Sequence, residues 1–173
     1  TEVTDGESVY TVSAVEEDAL SGLGAESLVI SSSITEFGPQ SLNNLKTITV
    51  SSENEKMFTK SGVLFARDTE SGKNNLILYP SAAEEESYVI PENTGIVASR
   101  AFAYPKNLKV LVFTEGLDRI CENAVLSPEN SIEIALDLDT ELTEFEKDAV
   151  YFEGTSGNVI FFRDIESCER LLN

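Results

Sequence analysis

The segment VIPENTGIVASRAFAYPKNLKVLVF, residues 89–113, carries two apolar periods in succession. Val97, Ala101 and Phe102 set an apolar residue, a small one and a bulky one at fixed spacing. Leu111 and Phe113 then alternate, which places both on one face of a strand. The first spacing recurs along the chain as Val12-Val15-Ala19-Leu20 and Ile34-Phe37-Ser41-Leu42. Here it reads Thr94-Val97-Ala101-Phe102, and then Leu117-Ile120-Ala124-Val125 and Leu142-Phe145-Ala149-Val150. The small position is Ala in four copies and Ser in one, and only Thr94 breaks the first apolar position.

Each copy leads into a short run with apolar residues at alternate positions. These are Leu28 and Ile30, Ile48 and Val50, Leu111 and Phe113, Leu136 and Leu138, and Ile160 and Phe162. A separation of 23 residues from Ile90 to Phe113, and of 25 from Phe113 to Leu138, falls in the 20–29-residue range of leucine-rich repeats. A unit of this size cannot bury its own apolar face, whereas stacked units share one continuous core. The small residue beside a bulky one lets successive backbones approach closely within a fixed cross-section.

Residues 89–113 resemble the BspA-like leucine-rich repeat, whose pattern runs I-P, apolar, I-G, A-F, L, I-x-I. Ile90, Pro91, Val97, Ala101, Phe102, Leu108, Leu111 and Phe113 match it. The usual Gly is present as Gly38 but is replaced by Ala98, Cys121 and Glu146 elsewhere, and the usual Cys after A-F is missing. The resemblance covers about residues 9–162. It implies a bacterial secreted or cell-surface protein, and it is specific for fold rather than ligand.

Residues 51–88 interrupt the period. Val63-Leu64-Phe65 and Leu76-Ile77-Leu78-Tyr79 flank a polar stretch containing Gly72, a hairpin signal ended by Pro80. Ser81–Ser87 reads as an exposed acidic loop with Glu84, Glu85 and Glu86 in a row. The family resemblance extends to Ser61-Gly62-Val63-Leu64-Phe65, Leu76–Pro80 and Tyr88-Val89-Ile90-Pro91. The hairpin is expected to pack on the solenoid, the alternative being an element that projects to shape a binding site.

Composition removes several functions. The 173 residues include 31 Asp+Glu, 12 Lys+Arg and no His, giving a net charge of −19. Without His there is no Ser-His-Asp or Cys-His relay and no His-bearing zinc site. The charge opposes nucleic acid and anionic lipid, both of which require cationic surface. No apolar run approaches the length of a membrane span, and the initial Thr is read as the start of a trimmed or mature form. Thirty-one acids supply many carboxylate pairs, but no cleft signature and no Trp to stack on a sugar ring supports a glycosidase. No enzyme activity, cofactor or metal is expected.

The remaining motifs read as structure. Gly22-Leu23-Gly24 lacks the third Gly of a dinucleotide loop, and Ser71-Gly72-Lys73 lacks the upstream Gly of a phosphate loop. Asp137-Leu138-Asp139-Thr140-Glu141 lacks a calcium-loop pattern and reads as a solvated charged edge. Cys121 stands where Gly is common and is expected to be a small buried side chain. A bridge to Cys168 requires the C-terminal end to fold back over the preceding repeats. Residues 164–173 space Ile165, Cys168 and Leu171/Leu172 as a short capping helix.

The expectation is a single β-rich leucine-rich-repeat solenoid over 1–173, with a parallel sheet on one face built from one short strand per repeat. Five repeats lie near 9–30, 31–50, 89–113, 114–138 and 139–162, with the hairpin insertion at 51–88 and the cap at 163–173. Residues between the core positions form two outward columns, Val29, Thr49, Val112, Asp137 and Ser51, Thr114, Asp139 (with Ser31 at the head of the second). Such an open face is the usual ligand platform of solenoids. The expected function is a non-catalytic, exported adhesion module, a monomer recognising an extracellular host or bacterial protein or a glycan; the alternative is a structural spacer.

Overall fold

The structure, a computed structural model, describes residues 2–4, 6–127, 132–137, 144–152 and 158–162. The chain opens with β1 (Glu2–Thr4), β2 (Val9–Thr11), β3 (Ala14–Val15), β4 (Ser27–Ile30), β5 (Glu36–Phe37) and β6 (Thr47–Val50). The middle contains β7 (Met57–Lys60), β8 (Val63–Arg67), β9 (Asn74–Leu78), β10 (Ser87–Val89), β11 (Thr94–Val97), β12 (Phe102–Ala103) and β13 (Val110–Phe113). It ends with β14 (Arg119–Ile120), β15 (Val125–Ser127), β16 (Glu133–Asp137), β17 (Glu144–Phe145), β18 (Val150–Phe152) and β19 (Asn158–Phe162). Among the described residues there is no helix, and hence none long and apolar enough to cross a membrane. The capping helix expected at 163–173 lies outside the described residues.

The chain winds as a solenoid of about six turns. One wall stacks β3 on β5 and, separately, β17-β14-β11-β9-β8-β7. The opposite wall stacks β4 on β6 and, separately, β10-β13-β16-β19 in parallel. A third, shorter wall, β12-β15-β18, follows the small residue of the later repeats. The small residues Ala101, Ala124 and Ala149 are buried, as are their bulky neighbours Phe102 and Val125, while Val150 is half-buried.

The spacing around the small residue has a backbone cause. Asp18, Arg100, Asn123 and Asp148, each one position before it, have φ between 56° and 58°. This left-handed corner turns the chain onto the third wall, and Asp and Asn tolerate it best among residues with a side chain. Successive corners are tied together by Arg100 N–H to Asn123 O and Asn123 N–H to Asp148 O, both 3.0 Å. Gly38 is required for a different reason: a Cβ there would lie 2.6 Å from the backbone nitrogen of Glu17.

The insertion is built into the wall. β8 pairs antiparallel with both β7 and β9, and β9 continues in parallel with β11 as a regular member of the stack. Val63, Leu64 and Phe65 are all buried, with Val63 and Phe65 in the larger core and Leu64 in the smaller one. The hairpin therefore packs between two hydrophobic clusters and does not project. The smaller cluster joins Ile30, Ile34, Leu45 and Ile48 of the first two turns to Met57, Leu64 and Leu78. The larger runs from Val63 through Ile90, Leu111 and Ile134 to Ala149.

Ser87–Val89 pairs with Val110–Val112 as a strand of the repeat wall, so the expected acidic loop runs to Glu86. Register corrects two sequence expectations. Leu111 and Phe113 are opposite Ile134 and Leu136, so this repeat measures 23 residues and not 25. One turn on, Ile160 and Phe162 are in register with Ala135 and Asp137, and Val159 and Phe161 hold the positions equivalent to Leu111 and Phe113. Leu138 lies outside the described residues.

Buried polar side chains tie the turns together. Asn54 Nδ2 donates to Ser31 O at 2.9 Å and Ile34 O at 2.8 Å, while its Oδ1 accepts from Lys56 N–H at 2.9 Å and Met57 N–H at 2.7 Å. Gln40 joins Leu20 N–H and Glu16 O in the same way, and the Ser81 hydroxyl donates to Leu42 O. Interior backbone groups at corners, where no strand can pair them, are satisfied by these side chains.

Candidate binding face

The wall β4-β6/β10-β13-β16-β19 is the face on which the outward columns were expected. Its first half fits that expectation. Alternation in Thr47-Ile48-Thr49-Val50 buries Ile48 and leaves Thr47 and Thr49 exposed, and the neighbouring Val29 is 76% exposed. Ser51 is half-buried.

The second half does not fit. Val112 is fully covered within the chain, in a small cluster with Val110 and Ala135 on the reverse of the strand face that bears Leu111 and Phe113. It cannot meet a ligand there. Thr114 is buried too, and its hydroxyl donates to Ile90 O at 2.7 Å, a bond between turns. The partner of Val112 across the sheet is Ala135, not Asp137. Asp137 closes β16, paired with Phe162, and Asp139 lies outside the described residues. The structure thus brings together Val29, Thr49 and Ser51 and separates them from Val112 and Thr114.

Between the halves the wall is broken. Among the described residues β6 pairs only with β4, and β10 only with β13. On the other wall β7 and β8 are interposed before β9, and strands lie about 4.8 Å apart, so this wedge spreads the second and third turns. A cavity of about 620 Å³ opens where they part. Its sides are Lys46–Thr49 and Ser87–Val89, and Ser61-Gly62, Tyr79, Pro80, Ala83 and Glu85 complete it.

Two aromatic rings border this cavity. Tyr79 is 4% and Tyr88 8% exposed, their ring centroids are 5.4 Å apart edge to face, and Phe102 packs against both. Neither hydroxyl has a hydrogen-bond partner among the described residues. Burial, helped by the nearby Glu85 carboxylate, pushes the Tyr79 phenol up to about 12, and burial raises Tyr88 as well. Both are therefore neutral at physiological pH. The cavity edge is acidic: Glu84, Glu85 and Glu86 are exposed, and only Glu86 is held, by Lys109 at 2.5 Å. Lys46 is paired with Glu26 at 2.9 Å.

A second depression, about 450 Å³, follows the left-handed corners past Asp18, Ser41, Arg100, Tyr104, Asn123 and Asp148. Arg100 spans it, bonded to Asp18 at 2.6 Å and near Glu17 at 3.4 Å. The guanidinium holds the Asp18 carboxyl below its usual range, with help from the Ser21 hydroxyl. The Arg100–Asp18 pair thus joins the first turn to a repeat beyond the insertion. No group of three or more Cys, Asp or Glu side chains placed to hold a metal ion occurs among the described residues. Cys121 is half-buried, which raises its thiol pKa, and Cys168 lies outside the described residues. Gly22 and Gly72 occupy turns at φ 79° and 73°.

The sequence reading missed Asn54, Gln40, Tyr79 and Tyr88. Tyr79-Pro80 and Tyr88 were on the page as family matches, but only the break between β6 and β10 brings them to one cavity.

No family model and no curated protein matches the sequence. Solved structures do match in fold. A leucine-rich cell-surface protein from Faecalibacterium prausnitzii superposes with a TM-score of 0.66 at 23% identity, covering 83% of this chain and 43% of that one. The pneumococcal vaccine antigen PcpA gives 0.61 at 24% identity, covering 80% and 40%. A leucine-rich-repeat protein from Eubacterium ventriosum gives 0.55 at 25% identity, covering 69% and 32%. The fold is that of bacterial leucine-rich-repeat proteins, those from Faecalibacterium and Eubacterium being named as such. The chain spans less than half the length of each of these structures.

Proposed function

We propose that this chain is a non-catalytic binding module of a BspA-like, exported bacterial surface protein, recognising an extracellular protein or glycan. One observation carries the reading: the first half of the repeat wall is exposed at Val29, Thr47 and Thr49, and it runs directly into the cavity beside Tyr79 and Tyr88. A cell-surface relative by fold supports the location.

The test is binding of the purified chain to a panel of host matrix proteins and glycans at two salt concentrations. The control variant is Val29→Asp with Thr49→Lys, both at exposed positions that leave the core untouched. Saturable binding weakened by the variant supports a ligand face in this half. Weakening by salt adds carboxylate pairing with a basic partner. Silence across the panel favours a spacer.

A further inference from the structure

We infer that the break in the repeat wall is a docking slot for one extended, basic peptide strand of another protein. The inference rests on the binding reading above and names its ligand class. In a parallel pair, both backbone groups of a residue point to the same side, and sides alternate along the strand. Ser51 N–H bonds to Ile30 O and Thr47 N–H to Glu26 O, so odd positions of β6 serve β4 and those of Ile48 and Val50 face the break. Ile90 N–H bonds to Val112 O and Val110 N–H to Glu86 O, so even positions around β10 serve β13 and those of Ser87 and Val89 face the break. Two strand edges therefore confront each other across the cavity, their outward donors and acceptors paired to no strand among the described residues. Free edges are templates for strand addition, in which main-chain bonds supply affinity and side-chain pockets supply selectivity.

Tyr79 and Tyr88 line the cavity, but their hydroxyls are closed off from solvent and lie out of reach of an occupant. Charge selects the sequence of the strand. Glu85 borders the cavity with Glu84 beside it, in a chain of net charge −19, so a segment alternating Lys or Arg with apolar residues fits best. Four residues of such a segment extend about 13 Å, the length of β6.

The experiment follows the backbone amides of Ile48, Val50, Ser87 and Val89 by NMR while the chain is titrated with acetyl-Lys-Val-Lys-Val-Lys-amide. Three further probes are its Glu counterpart, its alternately N-methylated form and chitohexaose. The basic peptide is expected to saturate and shift these amides. The acidic and N-methylated peptides should not bind, and Glu85→Gln should reduce the salt dependence. Absence of saturable peptide binding, binding indifferent to N-methylation, or chitohexaose alone shifting the four amides overturns the inference. Peptide silence with panel binding intact overturns it alone; silence in both overturns the binding reading as well.

Discussion

Asn54 offers the most direct test of how the insertion is joined to the repeats. Its side chain makes four hydrogen bonds, two to carbonyls of the preceding turn and two to N–H groups that start β7, and it is 6% exposed. Truncation in Asn54→Ala removes all four and leaves interior backbone groups without partners. At about 1 kcal/mol net for each bond, the loss comes to roughly 3–5 kcal/mol, a large part of the ~5–15 kcal/mol of a typical domain. Asn54→Asp refines the test. It keeps an acceptor for Lys56 and Met57 but sets a second carboxylate oxygen against the carbonyls of Ser31 and Ile34. That Asp has a folded-state pKa above its unfolded one, so its deficit is large at neutral pH and shrinks as pH falls through the raised value. Urea unfolding followed by far-ultraviolet circular dichroism measures both. A loss below about 1 kcal/mol in Asn54→Ala, at unchanged slope, would refute the reasoning.

Three further outcomes are expected. Ala124→Leu overpacks a fully buried layer and should cost about 1–3 kcal/mol in the same assay, while the exposed Ala19 at the equivalent position should accept Leu with little change. The Tyr79 phenol, raised to about 12 from 10, stays neutral in the folded chain at pH 11. Its contribution to stability, on the order of 2–3 kcal/mol, is complete below pH 10 and disappears as pH rises to 12, so absorbance near 295 nm should show a late phenolate step coincident with unfolding. The Asp18 carboxyl is lowered by Arg100, so its contribution is present above its unfolded pKa and disappears as pH falls through the folded one. Asp18→Asn should flatten the acid limb of the stability profile.

The repeat was legible because its signal is local. Ala101, Ala124 and Ala149 are buried where the spacing requires, and Ile48 and Leu111 face the core as alternation demands. Register failed at two places, Leu136/Leu138 and Ile160/Phe162, and the first has a visible cause: Ile134, Leu136 and Leu138 alternate as three apolar residues, and two of three had to be chosen. The face failed for a different reason. Thr47-Ile48-Thr49-Val50 alternates, but Val110-Leu111-Val112-Phe113 is apolar throughout, the mark of a strand covered on both sides. That contrast distinguishes the exposed β6 from the covered β13. The break was not legible at all, because it depends on the absence of pairing between Thr47–Val50 and Ser87–Val89, which lie far apart in sequence.

The septum formed by Val63–Arg67 also bears on how the molecule comes apart. Stacked repeats behave as a row of neighbours, each stabilised by the next, and cooperativity passes along the row only as strongly as its weakest junction. Among the described residues neither wall pairs the first two turns to the strands beyond them, and Val63–Arg67 divides the hydrophobic interior, with Leu64 in one cluster and Val63 and Phe65 in the other. Amide exchange should therefore resolve two populations. Leu28–Val50 would open at lower free energy than Leu111–Ile134, with the protection of Leu64 following the first group and that of Phe65 the second. A strand bound in the slot would join the two into one.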